Sequence, residues 1–106
     1  MSSVSAQGTA GQGAYAASKA GLEALTRVWS KELGLLGIRC VAVAPGYIDT
    51  PSTHAAVAEG TLRSITDRVP LRRLGNLESI LQAVRFAIEN DYATGATIHV
   101  DGGLTV

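Results

Sequence analysis

The sequence predicts an α/β fold built on a parallel sheet, and three observations carry that prediction. Apolar residues recur at helical spacing in two long stretches, and each stretch is followed by a short run rich in Val and Ile. Glycine or proline stands at most of the junctions. Alternating helix and strand is the pattern of parallel strands joined by crossover helices, because a tight turn cannot join a parallel pair.

Taken in order, residues 1 to 12 are rich in Ser, Gly and Gln and read as a loop leading into a helix. From Gly13 to Leu36 the residues Leu22, Leu25, Trp29, Leu33 and Leu36 recur every three or four positions, which predicts one long helix with a buried apolar stripe. Ala17, Ala20, Ala24 and Val28 give it a second, partly apolar face, small enough for a partner subunit to approach closely. Gly37 ends the helix, since glycine adopts the left-handed terminating conformation without a Cβ penalty. Ile38 to Ala44 reads as a strand buried on both faces, closed by Pro45-Gly46. Residues 51 to 75 show no firm period and are broken by Gly60, Pro70 and Gly75, so short, mobile helices are expected. Leu77, Ile80, Leu81, Val84 and Ile88 predict a further helix, and Ala96 to Val100 a second strand. Two strands do not complete such a sheet. Ser2 and Ser3 read as the carboxyl end of another strand, so the chain is expected to begin mid-sheet, with Met1 an internal methionine.

Composition excludes several classes. The 106 residues suffice for one domain and not two. A formal net charge of zero with 17% charged residues gives no electrostatic reason to bind nucleic acid or an anionic membrane. No apolar run approaches the ~18 residues of a membrane helix, and the first residues lack a signal-peptide pattern, which predicts a cytoplasmic protein. Cys40, the only cysteine, fits a small core position and cannot form an internal disulfide. His54 and His99 lack the neighbours of a metal site, so no metal is expected and both read as surface or strand residues. Arg63, Arg68, Arg72 and Arg73 read as solvated, with a rim for an acidic carrier or a phosphate-bearing substrate as the alternative. Trp29 reads as core or subunit interface.

Chemistry enters with Tyr15-Ala-Ala-Ser-Lys19, which sets a phenol and an ammonium one turn apart on one helical face. A phenol with its ordinary pKa near ~10 moves protons poorly at neutral pH, and a nearby cation favours the phenolate. The pair therefore reads as a proton donor and its tuner. Gly8-Thr-Ala-Gly11-Gln-Gly13 superficially offers a dinucleotide fingerprint, but too few residues precede it for the required strand, and Glu32 falls within a helix.

Tyr15 and Lys19, the upstream Ser2-Ser3-Val4-Ser5, the downstream Val43-Ala44-Pro45-Gly46-Tyr47-Ile48-Asp49-Thr50 and the closing Val100-Asp101-Gly102-Gly103 occur together in order. The set resembles the short-chain dehydrogenase/reductase family, in its oxoacyl-reductase-like branch and over that family's C-terminal half. The resemblance implies a doubly wound, Rossmann-like fold, with residues 1–106 as its C-terminal catalytic half and the glycine-rich dinucleotide-binding half absent. It assigns Tyr15 as proton donor and acceptor, Lys19 as its tuner and a ligand of the nicotinamide ribose, and Ser3 as donor to the substrate oxygen. Ser2 competes with Ser3: counting back from the tyrosine points to Ser2, while the Ser-Ser-Val pattern points to Ser3. Pro45, Gly46, Ile48 and Thr50 would form the nicotinamide loop, with the Ile48 main chain on the carboxamide and Thr50 toward the phosphates. Asp101-Gly102-Gly103 would be structural, holding the tail near a subunit boundary. Leu77 stands where the family often has proline, which touches a helix start and not the chemistry.

The implied cofactor is NAD or NADP, the choice being set in the half that the chain lacks. The implied substrate is a small carbonyl compound or secondary alcohol, an oxoacyl thioester among the candidates, and the implied assembly is a homodimer or homotetramer. A second reading makes the chain a truncated, non-catalytic fragment that associates with a partner at most. On that reading the 106-residue polypeptide alone is aggregation-prone and does not bind the cofactor.

Overall fold

Helix α1 spans Gly13–Leu33 and tightens into a 3-10 turn at Gly34–Leu36, after which Gly37 takes a left-handed φ of 73°. The terminator expected from the sequence is thus the one used. The computed structural model describes residues 1–3 and 11–105. Most of the Ser2-to-Ser5 motif's second half and Gly8 lie outside those residues.

Strand β1 (Ala42–Pro45) pairs in parallel with β2 (Thr97–Val100), Ala42 facing Thr97 and Pro45 facing Val100. Between them run α2 (Pro51–Ala56), α3 (Glu59–Arg68) and α4 (Leu77–Glu89), making the crossover that a parallel pair demands. The amides of Ala42 and Gly46 donate to the carbonyls of Ala96 and Val100, both at 2.9 Å. The Val43 carbonyl points to the opposite edge, where it accepts the Ser2 amide at 2.7 Å. The N-terminal segment therefore lies against the free edge of β1, as the strand-end reading of Ser2 and Ser3 expects. Pro45 has no N–H, so the ladder on that edge cannot continue past it.

The described core is small: its buried apolar residues are Ala42, Val43 and Ala44 of β1 with Leu62, Ile65, Val69, Ile80 and Ala83. Of the later helices, α2 and α4 start where a side chain satisfies a first-turn amide, whereas α3 begins after Ala58 without such a cap. Thr50 accepts from the Thr53 amide ahead of Pro51, and Asn76 accepts from the Ser79 amide. At the other end of α4 the Arg39 guanidinium donates to the carbonyls of Ala87 and Ile88 at 2.6 and 2.9 Å. A third bond reaches the Ala93 carbonyl at 3.3 Å, so one fork closes the helix C-terminus that has no basic residue of its own.

Two expectations are corrected. The α1 stripe is not buried: Leu22, Leu25, Trp29 and Leu36 are 37%, 41%, 41% and 72% exposed, and the buried α1 residues are Glu23 and Thr26. Trp29 is therefore not core. Periodicity reveals that a helix has an apolar face, and packing decides which face meets the sheet. The first strand is also shorter than expected, beginning at Ala42 and not at Ile38, which is 49% exposed. Residues before it are held by other bonds, the Cys40 amide donating to Thr94 Oγ1 and the Cys40 carbonyl accepting from the Gly95 amide.

Candidate active site

Tyr15 lies in the first turn of α1, half exposed, and Lys19 follows one turn later. The Lys19 ammonium stands 5.5 Å from the centroid of the Tyr15 ring, within cation–π range. One of its three donors goes to the Met1 carbonyl at 3.1 Å. Helical spacing thus brings phenol and cation together, and the strand-edge segment brings Met1 and Ser2 to α1.

Ser2 and Ser3 are placed differently. Ser2 is buried, and its hydroxyl donates to Glu23 Oε1 at 2.5 Å, with the Lys19 carbonyl at 3.4 Å. Its oxygen is committed to the interior. Ser3 is half-buried.

The loop after β1 rests on the turn after β2. A Cβ added to Gly46 would sit 2.7 Å from Asp101 Cα and 2.8 Å from Asp101 Cβ, so the two backbones approach too closely for any side chain. Beyond it, Ile48 bridges to Gly75 through the Asp49 amide and the Tyr47 carbonyl. The peptide groups of Ile48 itself therefore face away from Gly75, which fits a main-chain contact with a planar amide. Thr50 caps α2, its oxygen accepting from the Thr53 amide at 3.2 Å, while His54 pairs with Asp49 at 2.6 Å across the start of that helix.

Asp101 anchors the second turn. Burial raises its carboxyl pKa, but the bonds from the Thr105 hydroxyl and the Gly103 and Thr105 backbone, with the nearby His99, outweigh that and hold it below its ordinary 3.8. Gly102 and Gly103, at φ of 64° and 92°, pack so tightly on Val69 and Pro70 that a Cβ would lie 2.7 and 2.9 Å from their side chains. The Asp-Gly-Gly motif is structural, as expected. A cavity of about 440 Å³ opens beside it, lined by Tyr47, Leu71, Arg73, His99 and Asp101, and neither Tyr15 nor Lys19 reaches it.

His54 in α2 and His99 in β2 are both exposed, matching their reading as surface or strand residues. Among the described residues no cluster of His, Cys, Asp and Glu is arranged to hold a metal. Nor is any helix among them long and apolar enough to cross a membrane. The sequence reading missed Glu23, although its position four residues after Lys19 and eight after Tyr15 was a signal for a shared face.

The sequence family described as Enoyl-(Acyl carrier protein) reductase matches residues 1–105. A solved short chain dehydrogenase/reductase family protein superposes with a TM-score of 0.87 at 37% identity, over 98% of this chain and 43% of that one. This chain belongs to the short-chain dehydrogenase/reductase family. Among curated relatives, the 3-oxoacyl-[acyl-carrier-protein] reductase FabG of Thermotoga maritima is 44% identical over 93% of the chain and 41% of its own length. The (3R)-3-hydroxyacyl-CoA dehydrogenase of Canis lupus familiaris is 44% identical over 92% of the chain and 38% of its own. The chain thus spans about two fifths of the length of these relatives. A blue fluorescent protein from a metagenomic library, solved in complex with NADPH, superposes with a TM-score of 0.88 at 34% identity, over 99% of the chain and 43% of that protein. The fold is accordingly that of a portion of the family's doubly wound, Rossmann-like sheet.

Proposed function

We propose that this chain is the C-terminal catalytic half of an NAD(P)-dependent oxidoreductase, interconverting a carbonyl compound and a secondary alcohol. The observation that carries the reading is the Tyr15–Lys19 pair standing against the strand-edge segment through the Lys19–Met1 bond. The relatives named above are a 3-oxoacyl-[acyl-carrier-protein] reductase and a (3R)-3-hydroxyacyl-CoA dehydrogenase, which makes an oxoacyl or hydroxyacyl thioester the first substrate to try.

The residues present fit a nicotinamide cofactor. Lys19 would hold its ribose, Pro45 and Gly46 would form the loop beside the nicotinamide, the Ile48 main chain would take the carboxamide, and the Thr50 hydroxyl would serve the phosphates. The bound cofactor supplies the hydride in reduction and receives it in oxidation. Tyr15 gives its hydroxyl proton to the carbonyl oxygen in reduction and takes the alcohol proton in the reverse direction. Lys19 places its positive charge beside the Tyr15 ring, and the Ser3 hydroxyl donates to the same substrate oxygen as negative charge develops there. Subunits pair through the exposed faces of α1 in a homodimer or homotetramer, since Leu25, Val28 and Trp29 are all more than 40% exposed.

Tyr15→Phe in the whole protein tests this directly. It removes the proton and keeps the ring under Lys19, so turnover should fall by roughly 10²- to 10⁴-fold with cofactor binding retained. Near-normal turnover where chemistry limits the rate would sink the assignment.

A further inference from the structure

We propose that Glu23 is a positioning residue that acts through Ser2 to set both the Lys19 anchor and Ser3, an inference that rests on the oxidoreductase reading above. Glu23 is only 8% exposed, midway along α1, one turn beyond Lys19 and two beyond Tyr15. A carboxylate in such a place costs more than an apolar side chain of similar size unless its bonds have a use.

Its bond is to Ser2, and Ser2 is the residue on which the site's geometry turns. That residue is held three ways: its amide on the Val43 carbonyl at 2.7 Å, its hydroxyl on Glu23 Oε1 at 2.5 Å, and the same hydroxyl near the Lys19 carbonyl at 3.4 Å. Strand and helix are thereby tied at one point. Its two neighbours bear on the site: the Met1 carbonyl accepts Lys19 Nζ, and Ser3 is the serine assigned to the substrate oxygen in the reading above. Without the carboxylate the Ser2 hydroxyl is left with the 3.4 Å contact to the Lys19 carbonyl, and the tie between the segment and α1 loosens while the Ser2 amide stays on Val43. Met1 and Ser3 then shift together, and a displacement near ~1 Å in a catalytic group can cost ~10²-fold in rate.

The test uses the whole protein, with turnover and amide hydrogen exchange followed in Glu23→Ala, Glu23→Gln, Ser2→Ala and Thr26→Val. Glu23→Ala should lower kcat by roughly 10- to 100-fold, measured well below its own melting temperature. Glu23→Gln keeps the acceptor and should stay within about threefold of the parent. Ser2→Ala should mimic Glu23→Ala, and the double variant should lose no more than either alone. Thr26→Val disturbs another buried polar residue on the same face without touching Ser2, so it should lose stability and keep kcat. Exchange at the Ser2 amide should accelerate by about tenfold or more in Glu23→Ala and not in Glu23→Gln.

The inference is overturned if Glu23→Ala keeps both its kcat and its Ser2 protection, or if Thr26→Val reproduces the kcat loss. Tyr15→Phe, run alongside, separates the two ideas. An inactive Tyr15→Phe beside a fully active Glu23→Ala refutes the positioning role alone. A fully active Tyr15→Phe refutes the oxidoreductase reading, and the Ser2 exchange rate then still decides whether Glu23 clamps the segment.

Discussion

Gly46→Ala is the substitution with the most to reveal, because a single methyl tests whether the loop after β1 and the turn after β2 are one packed unit. The added Cβ would stand 2.7 Å from Asp101 Cα and 2.8 Å from Asp101 Cβ, where ordinary contact begins at 3.4 Å. Relief requires the two backbones to separate by roughly 0.7 Å, and neither is free to move. The Gly46 amide is bonded to Val100 at 2.9 Å, and the Asp101 carboxylate is bonded to the Gly103 amide at 2.9 Å and the Thr105 hydroxyl at 2.5 Å. Overpacking of this kind costs about 1–3 kcal/mol. Loss of the ladder bond adds about 1 kcal/mol. Urea unfolding of the whole protein should therefore show a loss of about 2–4 kcal/mol at unchanged slope. The control is Gly60→Ala in α3, where an added Cβ meets nothing within 4 Å. There alanine should stabilise by about 0.5–1 kcal/mol. A Gly46→Ala protein within about 0.5 kcal/mol of the parent would refute the close-approach argument, since that is the range of surface substitutions that disturb nothing.

Three further outcomes follow from the same geometry. Arg39→Met should cost about 1.5–3 kcal/mol, because it strands the α4 carbonyls that the fork now satisfies, and Arg39→Lys should recover only part of it; equal melts for all three proteins would contradict this. Asp101, whose folded pKa is lowered, contributes stability that is complete above its ordinary 3.8 and is lost as the pH falls through the lower folded value. The stability gap between the parent and Asp101→Asn should therefore shrink on acidification below about pH 4, and a gap independent of pH would disprove it. Replacing Leu25 and Trp29 by Glu should dissociate the assembly in sedimentation, whereas a parent that already sediments as a monomer at micromolar concentration would remove the α1 interface from the proposal.

By itself the sequence determined the order of elements, because the signals are local. Leucine spacing specified α1 and α4, Gly37 marked a left-handed terminator, and Pro45-Gly46 marked a strand end. It also placed Tyr15 and Lys19 on one face, since four residues make a helical turn whatever the helix packs against. The short helices in 51–75 were legible as breaks in the pattern, though not their limits. What only the tertiary structure decided is everything that depends on one segment meeting another. The apolar stripe of α1 was legible, but not that the sheet would meet Glu23 and Thr26 and leave that stripe largely exposed. Between Ser2 and Ser3 the sequence offered two competing counts, and only the tertiary structure shows the Ser2 amide on the edge of β1 and its hydroxyl on Glu23, 21 residues away. Gly46 read as a turn glycine, and its actual constraint comes from the Asp101 backbone 55 positions later, which no local pattern encodes.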